Sequence, residues 1–264
     1  MNQYMHGHGA AAARAHAFRN VANSAPHVAD LLEPGLRVLD LGSASGALTK
    51  DLAARVAPGE VVGVDISDDA VREAQADPSR PANLSYEVGD VYALPYPDAS
   101  FDLVHVHQVL HHLADPVAAI RELARVARPG GWLTLREGDY GGAFWYPEAT
   151  AWRAWQETYQ LVARGGGTEV DAGRRLAAWL AGASLPERAT FSGSMWTYPG
   201  YESAAEIAES WAARLTERRF IDLAVGLGVA DEASLIRTAA GLIEWAQLPG
   251  ALLVMPHVEA VVRL

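Results

Sequence analysis

Val38-Leu39-Asp40-Leu41-Gly42-Ser43-Ala44-Ser45-Gly46 is the stretch on which the fold of this chain turns. An apolar run carrying one acid passes directly into five small residues, and a helical pattern begins at once behind them. This predicts a strand over residues 36–41, a tight turn at Gly42 and a helix over 47–56, stopped by Pro58-Gly59. Small residues between a strand and a helix let backbone and helix N-terminus come close to a ligand.

Outward from this unit the alternation continues. Residues 60–65, 83–88, 101–106 and 132–136 read as further strands, and 68–75 and 116–127 as helices. Ser67 or Asp68 and then Asp115 supply the N-caps, with Pro116 in a first turn. Continuous apolar strands separated by helices imply a parallel sheet covered on both faces, with right-handed crossovers. Asp65 ends the strand after the loop, where doubly wound folds reach ribose hydroxyls. The two acids together predict a nucleoside ligand at the carboxyl edge of the sheet.

The spacing narrows that ligand. A dinucleotide fingerprint places glycine at the third and sixth positions, but counting from Gly42 these are Ala44 and Ala47. Asp40, Gly42 and Gly46 instead satisfy Asp-x-Gly-x-x-x-Gly. An acid at the head of the loop repels a pyrophosphate and suits a cationic group, such as an α-ammonium beside a sulfonium.

At these residues the chain resembles the class I S-adenosylmethionine (SAM)-dependent methyltransferases, in the small-molecule group with the ubiquinone/menaquinone-type and type 11-like enzymes. The resemblance covers about residues 36–136. Its motifs are 38–46, 62–67, Gly89-Asp90-Val91, 101–113 and 123–131, in family order and at family-like spacing. The resemblance implies that Asp40, Gly42, Ser43 and Gly46 face the methionine part of SAM. It implies that Asp65 binds the ribose, that Ile66 packs on adenine, and that Asp90 and Val91 meet the adenine amino group and ring. His107 and Gln108 then lie near the methionine part and the methyl group. Two residues depart from the family: Ser43 stands where Cys is frequent, and Ala44 where the middle glycine is usual. The alanine methyl is tolerated provided its φ is negative.

The acceptor side is less determined. His107 and His111 are the candidate catalytic residues, as general bases near neutral pH. Their spacing also suits a metal, but HExxH is lacking and no metal is expected. Tyr4 and His8, in a leader that resembles the cofactor lid of some family members, are candidate acceptor contacts. So are Glu137, Tyr140 and Trp145, just past the strand at 132–136, amid a dense aromatic group that also includes Phe144, Tyr146, Trp152, Trp155 and Tyr159. Most of that group is expected to be core.

The whole is expected to be α/β: a doubly wound, Rossmann-like, mostly parallel seven-stranded sheet in a single methyltransferase domain over 1–264. Residues 1–30 form an N-terminal helical lid and 31–140 the SAM-binding core. Residues 141–250 form a helical insertion on the substrate side, with a strand near 190–198. Residues 251–264 are terminal strand, with a hairpin open as an arrangement.

Composition bounds the rest. The 264 residues, half of them hydrophobic, suffice for one large domain. The absence of Cys excludes disulfides, thiolate metal sites and cysteine nucleophiles. A net charge of −11 argues against nucleic acid and anionic lipid as partners. No apolar run is long enough for a membrane helix and the first residues lack a signal-peptide pattern, so the expected compartment is the cytoplasm. The expected activity is transfer of the methyl group of SAM to an O, N or C nucleophile of a small molecule, by a monomer or homodimer. A SAM- or nucleoside-binding protein without methyl transfer and an NAD-dependent oxidoreductase are the alternatives.

Overall fold

The computed structural model describes residues 18–185 and 189–264. The described residues form two compact units. One holds residues up to 137 together with 173–193 and 258–264; the other holds 138–172 and 194–257.

The first unit is the strand–helix alternation. Its strands are β1 (Val38–Leu41), β2 (Val61–Asp65), β3 (Leu84–Val88), β4 (Phe101–His107) and β5 (Ala127–Gly138), which pair in parallel in the order β3-β2-β1-β4-β5. Its helices are α1 (Val21–Ser24), α2 (Ala47–Val56), α3 (Asp68–Ala76), α4 (Pro116–Val126) and, later in the chain, α6 (Leu176–Gly182). The caps act as expected. Ser67 accepts from the Ala70 N–H and Asp115 from the Ala118 N–H, while Gly46, in the left-handed region, opens α2.

The two-residue period of the strands sorts this unit into two cores. Val38, Val61 and Leu103 pack with α2, α3 and the segment from Val21 to Val28. Their neighbours Leu39, Val62, Val104 and Leu133 pack with α4 and α6 on the opposite face. Helices on both faces make the sheet doubly wound.

The second unit is mainly helical: α5 (Thr150–Gly165), α7 (Gly200–Thr216), α8 (Arg218–Gly226) and α9 (Glu232–Ala246), with α7 packed along α9. Trp152, Trp155, Tyr159, Trp211 and Trp245 fill its core. This unit also holds β6 (Phe144–Tyr146), antiparallel to the first residues of β8 (Leu252–Arg263). The long strands β7 (Ala189–Pro199) and β8 each carry residues of both units.

One expectation changes. The sheet has eight strands among the described residues rather than seven, because β6 is three residues long and too short to show a period. Of the terminal residues, 252–263 form one strand, which decides against a hairpin there. Pro256 lacks a donor but does not turn the chain, and its carbonyl accepts from the Asp139 N–H at 3.0 Å. The expected N-terminal helical lid over residues 1–30 lies largely outside the described residues; within 18–30 the chain forms the short helix Val21–Ser24. It is followed by a 3₁₀ turn over Pro26–Leu31. Among the described residues no helix is long and apolar enough to cross a membrane.

Candidate active site

The loop after β1 borders a cleft lined by Arg19, Asp40, His107 and residues 42–48. Gly42 and Gly46 take φ of +77° and +85°, and both positions exclude a side chain. A Cβ on Gly42 would lie 2.2 Å from Val109 Cγ2, and one on Gly46 2.0 Å from Tyr86 Oη. Close packing behind the loop therefore requires glycine twice. Ala44 also has positive φ, +47°, which contradicts the condition under which its methyl would be harmless.

The acids have distinct surroundings. Asp40 is buried on the α2 face and accepts from Thr49 Oγ1 at 2.6 Å. Burial pushes its carboxyl up to about 7; the Thr49 bond opposes this, Asp65 reinforces it, and the Arg19 guanidinium opposes it. Asp65 ties two turns together, accepting from the Ala44 N–H and the Ser67 N–H, each at 2.9 Å. Asp90 accepts from the Tyr92 N–H at 3.0 Å, and Val91 is buried behind it. Ile66 is 70% exposed, unusual for so apolar a side chain directly beside a strand end.

Past β4 the chain turns at Gln108, whose φ is +55° and whose N–H donates to the Arg136 carbonyl at 2.8 Å. Gln108 Oε1 accepts from Arg19 Nη2 at 2.8 Å. His107 is buried and lines the cleft. His111 lies in the 3₁₀ turn Leu110–His112, and its Nδ1 is 2.7 Å from Glu137 Oε2. The other Glu137 oxygen accepts from the Val109 and Leu110 N–H groups at 2.9 and 2.7 Å. Glu137, expected at the acceptor, is 0% exposed with both oxygens engaged, so direct contact with an acceptor is replaced by contact with His111.

The structure thus gathers Asp40, Gly42, Ser43, Gly46 and His107 around one cleft and ties Asp65 and Gln108 to its rim. Tyr140 and Trp145 belong to the helical unit, where both are partly buried; Trp145 stacks on Trp152 at 6.2 Å. Tyr4 and His8 lie outside the described residues. Of the remaining aromatics, Trp152, Trp155 and Tyr159 are core, while Phe144 and Tyr146 are exposed. Arg19 was not legible in the sequence as a lining residue, because no motif marks it. The His111–Glu137 pairing had only a weak sign, an acid at the carboxyl end of the neighbouring strand.

A cofactor with a nucleoside and an amino-acid end suits this donor set. The cleft offers a buried carboxylate and a guanidinium, and Ser43 Oγ is buried with no partner. Residues 39–135 match the family model described as a methyltransferase domain. The chain is 40% identical over 116 residues to the 27-O-demethylrifamycin SV methyltransferase of Amycolatopsis mediterranei, a match covering 41% of this chain and 40% of that protein. A methyltransferase structure from Bacillus halodurans superposes with a TM-score of 0.58 at 16% identity, over 89% of this chain and 97% of that one, a likeness of fold. An uncharacterised methyltransferase of Schizosaccharomyces pombe is 33% identical over 218 residues, or 79% of this chain and 76% of that protein. With a third of the aligned residues identical across most of that fungal protein, the chain belongs to the SAM-dependent methyltransferases.

Proposed function

We propose that the enzyme methylates an O, N or C nucleophile of a small, partly apolar molecule, and that His111, oriented by Glu137, receives the acceptor's proton. The observation that carries this is the 2.7 Å contact between His111 Nδ1 and a wholly buried carboxylate. A carboxylate can only accept, so Nδ1 holds the proton and Nε2 keeps its lone pair. Bound SAM supplies an already activated methyl group. The protein's share is therefore alignment, exclusion of water and, for an acceptor that is not yet ionised, a base. The net charge and the aromatic residues that follow β5 in the sequence favour a small, partly apolar acceptor over a nucleic acid. The Amycolatopsis relative, named for O-methylation of a rifamycin, supports the same class.

For the cofactor, Asp40 faces the methionine ammonium and Asp65 the ribose. Each Asp65 oxygen already takes one backbone N–H, and a carboxylate's four lone-pair sites leave room for hydroxyl donors. Ile66 is the platform for adenine, Asp90 and Val91 border the ring, and His107 and Gln108 flank the methyl end.

Glu137→Gln tests the pair. The two backbone N–H groups keep the amide oxygen at the Oε1 position, so the NH₂ faces Nδ1. Nδ1 must then accept, and the proton moves to Nε2. Expected is a folded protein that binds SAM normally but turns over about 10²-fold more slowly, with partial recovery at high pH. His111→Ala should lose as much, and the double variant little more. Unchanged turnover in either single variant contradicts the proposal.

A further inference from the structure

The cleft carries a charge that the loop motif does not supply. Arg19 precedes α1 and lines the cleft beside Asp40 and His107. Gln108 orients its guanidinium, and Gln108 is itself held by a backbone bond to Arg136. The amino-acid end of SAM is a zwitterion, with an α-ammonium and an α-carboxylate. Asp40 suits the first. The second needs donors, and in many strand–loop–helix sites the loop N–H groups provide them.

Here most of those groups point elsewhere. The Gly42 and Ser43 N–H groups donate to the Val64 carbonyl at 2.7 and 3.1 Å, and the Gly46 N–H to the Ser43 carbonyl at 2.9 Å. The Ala44 N–H donates to Asp65. Arg19 is the one Lys or Arg among the lining residues. A planar guanidinium pairs with a carboxylate through two parallel N–H bonds, which gives geometry as well as attraction.

We infer that Arg19 binds the α-carboxylate of the cofactor's methionine moiety, so that the site reads the amino acid as a zwitterion held between Arg19 and Asp40. This rests on the reading of the cleft as the cofactor site. It makes Arg19 a specificity-determining residue: ligands that keep the carboxylate bind, and those that lack it bind weakly.

The test is calorimetric titration of the full chain with SAM, S-adenosylhomocysteine and decarboxylated SAM, comparing wild type, Arg19→Gln and Arg19→Lys. Wild type should prefer SAM to decarboxylated SAM by about tenfold or more. Arg19→Gln should lose about tenfold for SAM and S-adenosylhomocysteine but little for decarboxylated SAM, so that the preference collapses. Arg19→Lys should recover part of it. Equal loss for all three ligands, or none, overturns the inference and leaves the cofactor site standing. Should Arg19→Gln fail to fold, equal affinities of wild type for SAM and decarboxylated SAM overturn it alone. Failure of wild type to bind either SAM or S-adenosylhomocysteine removes the cofactor reading of the cleft and the inference with it.

Discussion

At Asp40 function and stability pull apart. Folding encloses its carboxyl and raises it to about 7, chiefly through burial. A group raised on folding adds stability below its unfolded value, near 4, and that contribution is lost as pH rises through about 7. At pH 8 the protein therefore carries a buried negative charge, useful only when a cationic ligand meets it. Asp40→Asn should melt higher than wild type at pH 8, by on the order of 1–3 kcal/mol, while calorimetry shows SAM binding weakened about tenfold or more. A variant that melts lower at pH 8, or binds SAM as wild type does, contradicts this account. Asp40 was legible from its place before a run of small residues. Arg19 was not, since only folding brings a side chain so far ahead of the loop beside it.

The loop between β1 and α2 shows what an element-level pattern can and cannot say. The strand, the turn and the helix were all readable from residues 38–56. The sign of φ at Ala44 was not, because the turn's path depends on Asp65 of β2 pinning the Ala44 N–H. A non-glycine residue in that region costs on the order of 1 kcal/mol or more. Ala44→Gly should relieve it, less the entropy glycine returns to the unfolded chain. We expect a net gain of about 0.5–1 kcal/mol by denaturant melt, with SAM affinity retained or improved. A destabilised variant shows that the methyl packs usefully. The strands at the far end of the chain were less legible. β6 is too short for a period, and Pro256 inside β8 imitates a turn.

Across the molecule, acid should be the damaging condition. On the α2 face of the sheet lies a buried polar group formed by His27, His105, Thr134, Arg136, Ser192 and Glu259. Glu259 accepts from Arg136 Nε at 3.3 Å and Ser192 Oγ at 2.7 Å, and His27 Nδ1 lies 3.7 Å from it. His105 Nδ1 meets Thr134 Oγ1 at 2.9 Å, and its Nε2 is buried without a partner. Burial lowers His27 to about 4, against the pull of Glu259 and with the push of Arg136. His105 is lowered as well, by burial first and then by His27 and Arg136. Groups lowered on folding stabilise above their unfolded value, near 6.5, and that stability is lost as pH falls through the folded value. The melting temperature should therefore drop steeply from pH 6.5 towards 4, and His27→Phe should flatten the slope. A flat profile over that range would falsify this reading of the network. By itself the sequence determined the alternating sheet and helices, the small-residue loop after β1 and the acids at the strand ends, because periodicity and turn chemistry are local. Only the tertiary structure decided that Glu137 serves His111, that Arg19 joins the cleft, and that His105 and His27 share a buried network. Those pairings join residues far apart in sequence, and strand register and pleat, set by the packed cores, bring them together.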